Sequence, residues 1–274
     1  MRTVRPALQP WRTPRAFWLL VAPVLWAIGC AHQDSPEAFT VLSWSGSDAS
    51  AVPLDQELVI EFNQPLTQPW RHSSVEVLDE GGNPVVGLLP TVVGSWLRLA
   101  PRLPLEPGLQ DGSLRPDHNY QIRLHGLPRL VALTSTQGEV LRSELILPFH
   151  TAPANHPAAL VGNGAEFSAV NLSGYAVGAP LAFAAGAPLI LHFRSGLDPR
   201  TITGEATLQS EGGRSTKSCA LRLRSNALDG AELEVLAGNW SGWGRLQLPE
   251  EIEGLGGWPL ENNIRTMRIH RAPQ

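Results

Sequence analysis

Sliding this 274-residue sequence 131 positions along itself superimposes two apolar patterns without a gap. The stretch "FTVLSWSGSDASAVPLDQELVIEFNQPL" from Phe39 falls on "VNLSGYAVGAPLAFAAGAPLILHFRSGL" from Val170, so that Trp44 meets Tyr175, Leu58 meets Leu189, Phe62 meets Phe193 and Leu66 meets Leu197. The same shift sets "DEGG" (79–82) on "SEGG" (210–213). Seven of the 44 compared positions are identical. The coincidence of apolar spacing, aromatic positions and a Gly-Gly turn marks an internal duplication. Whatever one half folds into, the other must fold into as well.

Each half reads as strands. "ELVIEF" (57–62) and "PLILHF" (188–193) are short apolar or alternating runs bounded by turn residues, and "SVEVLDEGGNPVVGLL" (74–89) is a hairpin-like pair around Glu80–Pro84. "SWLRLAP", "NYQIRLHG" and "ELILPFHT" complete the first copy; "AELEVLA", "GRLQLP" and "NIRTMRIH" take the corresponding places in the second. The 26 glycines and 24 prolines are scattered, which suits turns between many strands. The expected fold is all-β: two tandem antiparallel β-sandwiches over 39–153 and 158–274, joined by a linker at 154–157.

The succession "SGSDASAVPLDQELVIEFNQPL", "WLRLAPRLPLEPG", "NYQIRLHGL", "LPFHTAP" resembles the bacterial Ig-like domain of the S-layer-protein (SbsA) type. The matching positions are Val52-Pro53, Phe62 with Pro65, Pro101 with Leu105 and Pro107, Tyr120, and Phe149 with Thr151. The loop at 108–116, "LQDGSLRPD", is longer than usual for that family. The resemblance covers 39–153 well and the second copy mainly through "LILHFRSGLDPRTI" and "LGGWPL". It implies a sandwich used as a spacer, adhesion or surface-layer module, with no reaction and no catalytic residues.

Residues 1–15 carry arginines, and "AFWLLVAPVLWAI" (16–28) is apolar, interrupted only by Pro23. As a helix this run rises about 20 Å against a bilayer core of about 30 Å, so it is a secretory signal rather than a span. "AIGC" resembles the lipobox of bacterial lipoproteins, with Ala27 where leucine is more usual. The resemblance implies cleavage after Gly29, acylation of Cys30 and a lipid-membrane partner, since two or more acyl chains hold a protein on a membrane. The alternative is an ordinary signal peptide with a chance cysteine. Residues 1–29 are thus read as signal and 30–38 as a tether; the eight residues "AHQDSPEA" before Phe39 reach at most about 28 Å. Ala31 stands where an aspartate favours the inner membrane in some Gram-negative lipoproteins, which in such a host favours the outer membrane.

Four of the 21 basic residues (Arg2, Arg5, Arg12, Arg15) precede the first acid, so the remaining 17 face 25 acids, a net charge of −8. A body this acidic is not a nucleic-acid partner. The eight histidines are dispersed with no H-E-x-x-H pair and no C-x-x-C, so no metal and no cofactor is expected, and there is no G-x-S-x-G elbow. Asp79, Glu80 and Asn83 suggest either a calcium loop or a hairpin turn; the second copy keeps both glycines but has Ser210 for Asp79 and Arg214 for Asn83, which favours the turn. Cys219 reads as a buried strand thiol, and Trp44 and Trp96 as core. Trp240, Trp243 and Trp258, in the Gly-rich stretches "NWSGWG" and "GLGGWPL", are candidate ligand-binding residues; the competing reading is a plug at one end of the second sandwich. The expected function is a membrane-anchored envelope lipoprotein, structural or interacting, not an enzyme, with an envelope protein or polysaccharide partner. The alternative is a glycan-binding surface module.

Overall fold

A computed structural model describes residues 37–47, 49–68, 72–162, 172–176, 178–213 and 215–273. The signal segment, Gly29 and Cys30 lie outside the described residues. Ala38–Gln274 forms one compact unit.

The alternation in the sequence sets the first sandwich. One sheet has the order β1 (Val41–Trp44), β2 (Leu58–Phe62), β5 (Trp96–Ala100), β4 (Leu89–Val93); the other has β3 (Val75–Asp79), β6 (Asn119–Leu124), β7 (Leu145–His150). Successive side chains of a strand point to opposite faces. Leu58, Ile60 and Phe62 of β2 and Tyr120, Ile122 and Leu124 of β6 therefore turn inward together and are buried in one core.

In the second copy the strands form one seven-stranded sheet, β8 (Leu181–Phe183), β14 (Thr266–Arg271), β13 (Gly242–Gln247), β10 (Glu205–Ser210), β11 (Thr216–Ala227), β12 (Gly230–Val235), β9 (Leu189–Phe193). The twelve-residue β11 joins the two layers: Thr216–Ala220 pair with β10 and Leu221–Ala227 with β12, with a register shift between Leu223 and Ser225. In the first copy the equivalent strand is broken. After the turn at 79–83 the chain touches β3 only at Pro84 and Val85, passes Gly87 at φ 89°, and joins the other sheet as β4. The hairpin-like pair expected over 74–89 is thus a strand with a divided return arm. The 131-residue shift survives at the level of pairing. Val41 opposes Phe62 as Leu172 opposes Phe193, and Val52 and Phe183, also 131 apart, each lie parallel to a residue of the last strand of their copy or the residue just after it, Thr151 and Arg271, which are 120 apart.

The turn reading of "DEGGNP" accounts for its oxygens: the Asp79 carboxylate accepts the Asn83 amide at 2.8 Å, which holds its pKa below the ordinary carboxylate value. Cys219 is buried, and burial pushes its thiol pKa up. Trp44 packs against the first core. Trp96 does not: it is 42% exposed, on the outer face of β5 with the Arg98 guanidinium 5.8 Å from its ring. Alternation along "SWLRLA" buries a single face, and Leu97 and Leu99 are the residues turned inward.

The two cores interlock at the connection. Ala159 and Leu160 sit in the first core together with Leu255 and Leu228 of the second copy, while Leu105 of the first copy packs on the second core. Arg200 grips the Asp198 carboxylate through Nε and Nη2 and donates from Nη1 to the Ala154 and His156 carbonyls at 2.9 and 3.0 Å. Asn226 Nδ2 donates to the Pro104 carbonyl at 3.1 Å. Buried Asp55 accepts the Val161 amide at 3.0 Å and the Gly162 amide at 2.6 Å.

Asp55→Ala leaves those two amides without their acceptor and is expected to cost about 1–3 kcal/mol in chemical denaturation. Desolvation raises the Asp55 pKa above its ordinary 3.8. The folded state then holds the proton more tightly than the unfolded chain, and the contribution of Asp55 falls as pH rises above 3.8. Asp55→Asn removes that slope, so its melting temperature should gain on the parent between about pH 4 and pH 7. A difference constant across that range would contradict the assignment.

Candidate functional site

The outer face of β13 and β14 is where exposed aromatic and cationic side chains meet. Gly242, Gly244 and Leu246 turn away from this face, which sends Trp243, Arg245 and Gln247 outward. On β14, Met267 and Ile269 turn inward and Thr266, Arg268 and His270 outward. Antiparallel pairing then sets Trp243 opposite His270, Arg245 opposite Arg268 and Gln247 opposite Thr266.

Trp243 is 39% exposed. Its ring lies 4.4 Å from that of His270, and the Arg268 guanidinium lies 4.5 Å from the ring centroid. Arg268 Nη2 also meets Glu211 Oε1 at 2.6 Å, so the carboxylate from the 210–213 turn holds the guanidinium over the indole. Arg245 and Arg268 are like charges directly across the ladder, an arrangement that destabilises a sheet by itself. Gln209 of β10 stands opposite Arg245, and a shallow cavity of about 280 Å³ opens between these side chains and Gly212–Gly213. The face offers planar donors, amides and one stacked indole, suited to an anionic or hydroxyl-rich surface.

The other two candidate tryptophans stand elsewhere. Trp240 packs on the second core with its Nε1 buried and unbonded among the described residues. Arg271 Nη1 fixes its backbone by donating to the Trp240 and Gly238 carbonyls at 3.2 and 2.7 Å. Trp258 is 39% exposed but belongs to the turn closed by the Gly254 amide and the Trp258 carbonyl at 2.6 Å, beside Leu255 and the connection to the first sandwich. The fold therefore brings Trp243 together with His270, Arg268 and Arg245, not with Trp258. His150 and His192 each face a carboxylate at the surface, Asp117 at 3.2 Å and Glu232 at 3.4 Å.

Two groups escaped the sequence reading. His125 is buried with Nε2 3.4 Å from Glu76 and Nδ1 3.3 Å from Glu144. The cross-strand partners of the Trp243 face escaped as well, although "RIH" at 268–270 sits in a strand with an outward period of two. Among the described residues, no helix is long and apolar enough to cross a membrane.

No protein-family model matches the chain, and no curated protein matches it. Among solved structures, the native conformation of Escherichia coli alpha-2-macroglobulin is similar over 88% of this chain at 12% identity and a TM-score of 0.41. The N-terminal part of the bacterial S-layer protein SbsC is similar over 87% at 11% identity and a TM-score of 0.31. The plexin A4 extracellular region is similar over 85% at 10% identity and a TM-score of 0.22. This chain spans 14%, 45% and 24% of those chains respectively.

Trp243→Ala should leave the fold intact and lower stability by about 1 kcal/mol, the size of an exposed cation–π contact. Trp240→Ala, which empties part of the second core, should cost on the order of 3 kcal/mol. Thermal melting of the two variants side by side separates a surface indole from a packed one.

Proposed function

We propose that the protein is a lipid-anchored cell-envelope module with a structural or interaction role and no chemistry of its own. The observation that carries this reading is the docked pair of sandwiches at the connection, where Asp55, Arg200 and Asn226 tie the second copy to the first. Two sandwiches fixed in this way present loops and sheet faces at a set spacing, which serves an adhesion or spacer role. The acylated Cys30, separated from Phe39 by eight residues, would hold the first sandwich within about 28 Å of a membrane surface. In a Gram-negative host the alanine at position 31 points to the outer membrane. Envelope proteins or polysaccharides are the proposed partners.

A second reading is favoured by the Trp243 face. An exposed indole beside Arg268 and Arg245 suits glycan binding, with stacking from the ring and paired hydrogen bonds from the guanidiniums.

Cys30→Ala should move the protein from the membrane fraction to the soluble fraction. Retention of the variant in membranes at the parental level would remove the anchor reading. Protease treatment of intact cells then decides the compartment: cleavage of the second sandwich places it outside, and protection until lysis places it in the periplasm. A hydrolytic activity abolished by a single carboxylate or histidine substitution would overturn the non-catalytic reading.

A further inference from the structure

The loop at 108–116 closes a cleft of about 420 Å³ on the first sandwich. The loop is firmly built. Leu109 and Leu114 are buried, and the Asp111 carboxylate accepts the Leu105 and Glu106 amides at 3.0 and 3.2 Å. The Ser113 amide donates to the Arg102 carbonyl and the Arg102 amide to Ser113 Oγ, both at 2.9 Å. Leu109 and Asp117, at φ 57° and 58°, are the only non-glycine residues with positive φ among the described residues; the first lies in this loop and the second directly follows it.

Two guanidiniums line the cleft with donors to spare. Arg115 has no carboxylate within 4.0 Å among the described residues, and Arg102 donates only its Nη2, to the Asp111 carbonyl at 2.9 Å. The Tyr120 hydroxyl accepts the Arg115 amide at 2.9 Å, as Ser113 Oγ accepts that of Arg102, so each keeps its own proton to donate. Two carboxylates also line the cleft, Asp79 held by Asn83 and Asp111 held by Leu105 and Glu106, and their charges are balanced by the two guanidiniums. Val85 and Val86 form an apolar wall, Val86 being 81% exposed. Arg102 and Arg115 thus place free N–H donors beside a hydrocarbon surface.

We propose that this cleft binds a sugar acid, a uronate unit of an acidic polysaccharide, with its carboxylate on Arg102 and Arg115, its hydroxyls on Ser113 and Tyr120, and a C–H face on Val85 and Val86. The volume suits one or two sugar rings. A peptide's terminal carboxylate fits less well, because it brings no hydroxyls for Ser113 and Tyr120 to meet. This site lies on the first sandwich and stands independently of the Trp243 face.

The test is calorimetric titration of the detergent-solubilised full chain with trigalacturonate and with its methyl ester. Binding of the acid should be at least tenfold tighter than that of the ester. Arg115→Ala and Arg102→Ala should each weaken it tenfold or more with the melting temperature unchanged, and Arg115→Lys should recover part of the loss. Arg224→Ala, which removes one exposed charge from the second sandwich, should leave it unchanged. Equal binding of acid and ester, insensitivity to both arginines, an equal loss in Arg224→Ala, or no heat at millimolar trigalacturonate would each overturn the proposal. So would a tripeptide with a free C-terminus that binds more tightly than trigalacturonate through Arg115.

Discussion

Taking the Asp55 carboxylate out of water is unfavourable, and the chain offsets it with the amides of Val161 and Gly162, more than a hundred residues away. Those amides belong to the segment that leaves the first sandwich for the second. Had they remained unpaired in the same buried place, they would carry a penalty of their own. Each cost is reduced only when the connection lies against the first core, with Ala159 and Leu160 inside it, and desolvation still outweighs the two bonds, which leaves the Asp55 pKa raised. Everything beyond that point is placed by this choice. Leu255 reaches back into the first core, Leu105 reaches forward onto the second, and Arg200 donates to the Ala154 and His156 carbonyls of the connection.

The duplication shows how one plan tolerates two solutions for joining its layers. In the second copy a single long strand, β11, pairs with β10 over its first half and β12 over its second. In the first copy the same passage is cut by a left-handed glycine, Gly87, where a Cβ would come within 2.8 Å of Ser113 Oγ. The break lets the 108–116 loop pack beside the crossing chain. The uninterrupted strand leaves no such space, and the corresponding end of the second sandwich carries the Trp243 face instead. The two copies share pairing and differ in what they display.

The apolar period and the repeat made the fold legible in the sequence: Leu58, Ile60 and Phe62 alternate, and the same register returns at Leu189, Leu191 and Phe193. Alternation says that one face is buried but not which. Trp96 illustrates this, since the leucines on either side of Arg98 compete for the interior and win it. The grouping of the tryptophans was not legible either. Trp243 and Trp258 look alike as aromatics among glycines, but cross-strand pairing gives the first His270 and Arg268, while the second ends in a turn at the connection. Asp55 and His125 were invisible for a related reason: their partners are distant in sequence, and an isolated acid or histidine carries no local sign of burial.

The parallel pairing near the ends of each copy bears on how the protein would carry load. Val52 runs in the same direction as Thr151, through the Val52 amide to the His150 carbonyl at 2.7 Å and the Ala152 amide to the Val52 carbonyl at 2.9 Å. Phe183 runs alongside Arg271 in the same way. Tension drawn along two such neighbours slides one past the other, so their bonds bear the pull together, whereas a hairpin opens one bond at a time. A chain held at one end and tugged at the other would meet this sliding resistance twice, once in each copy.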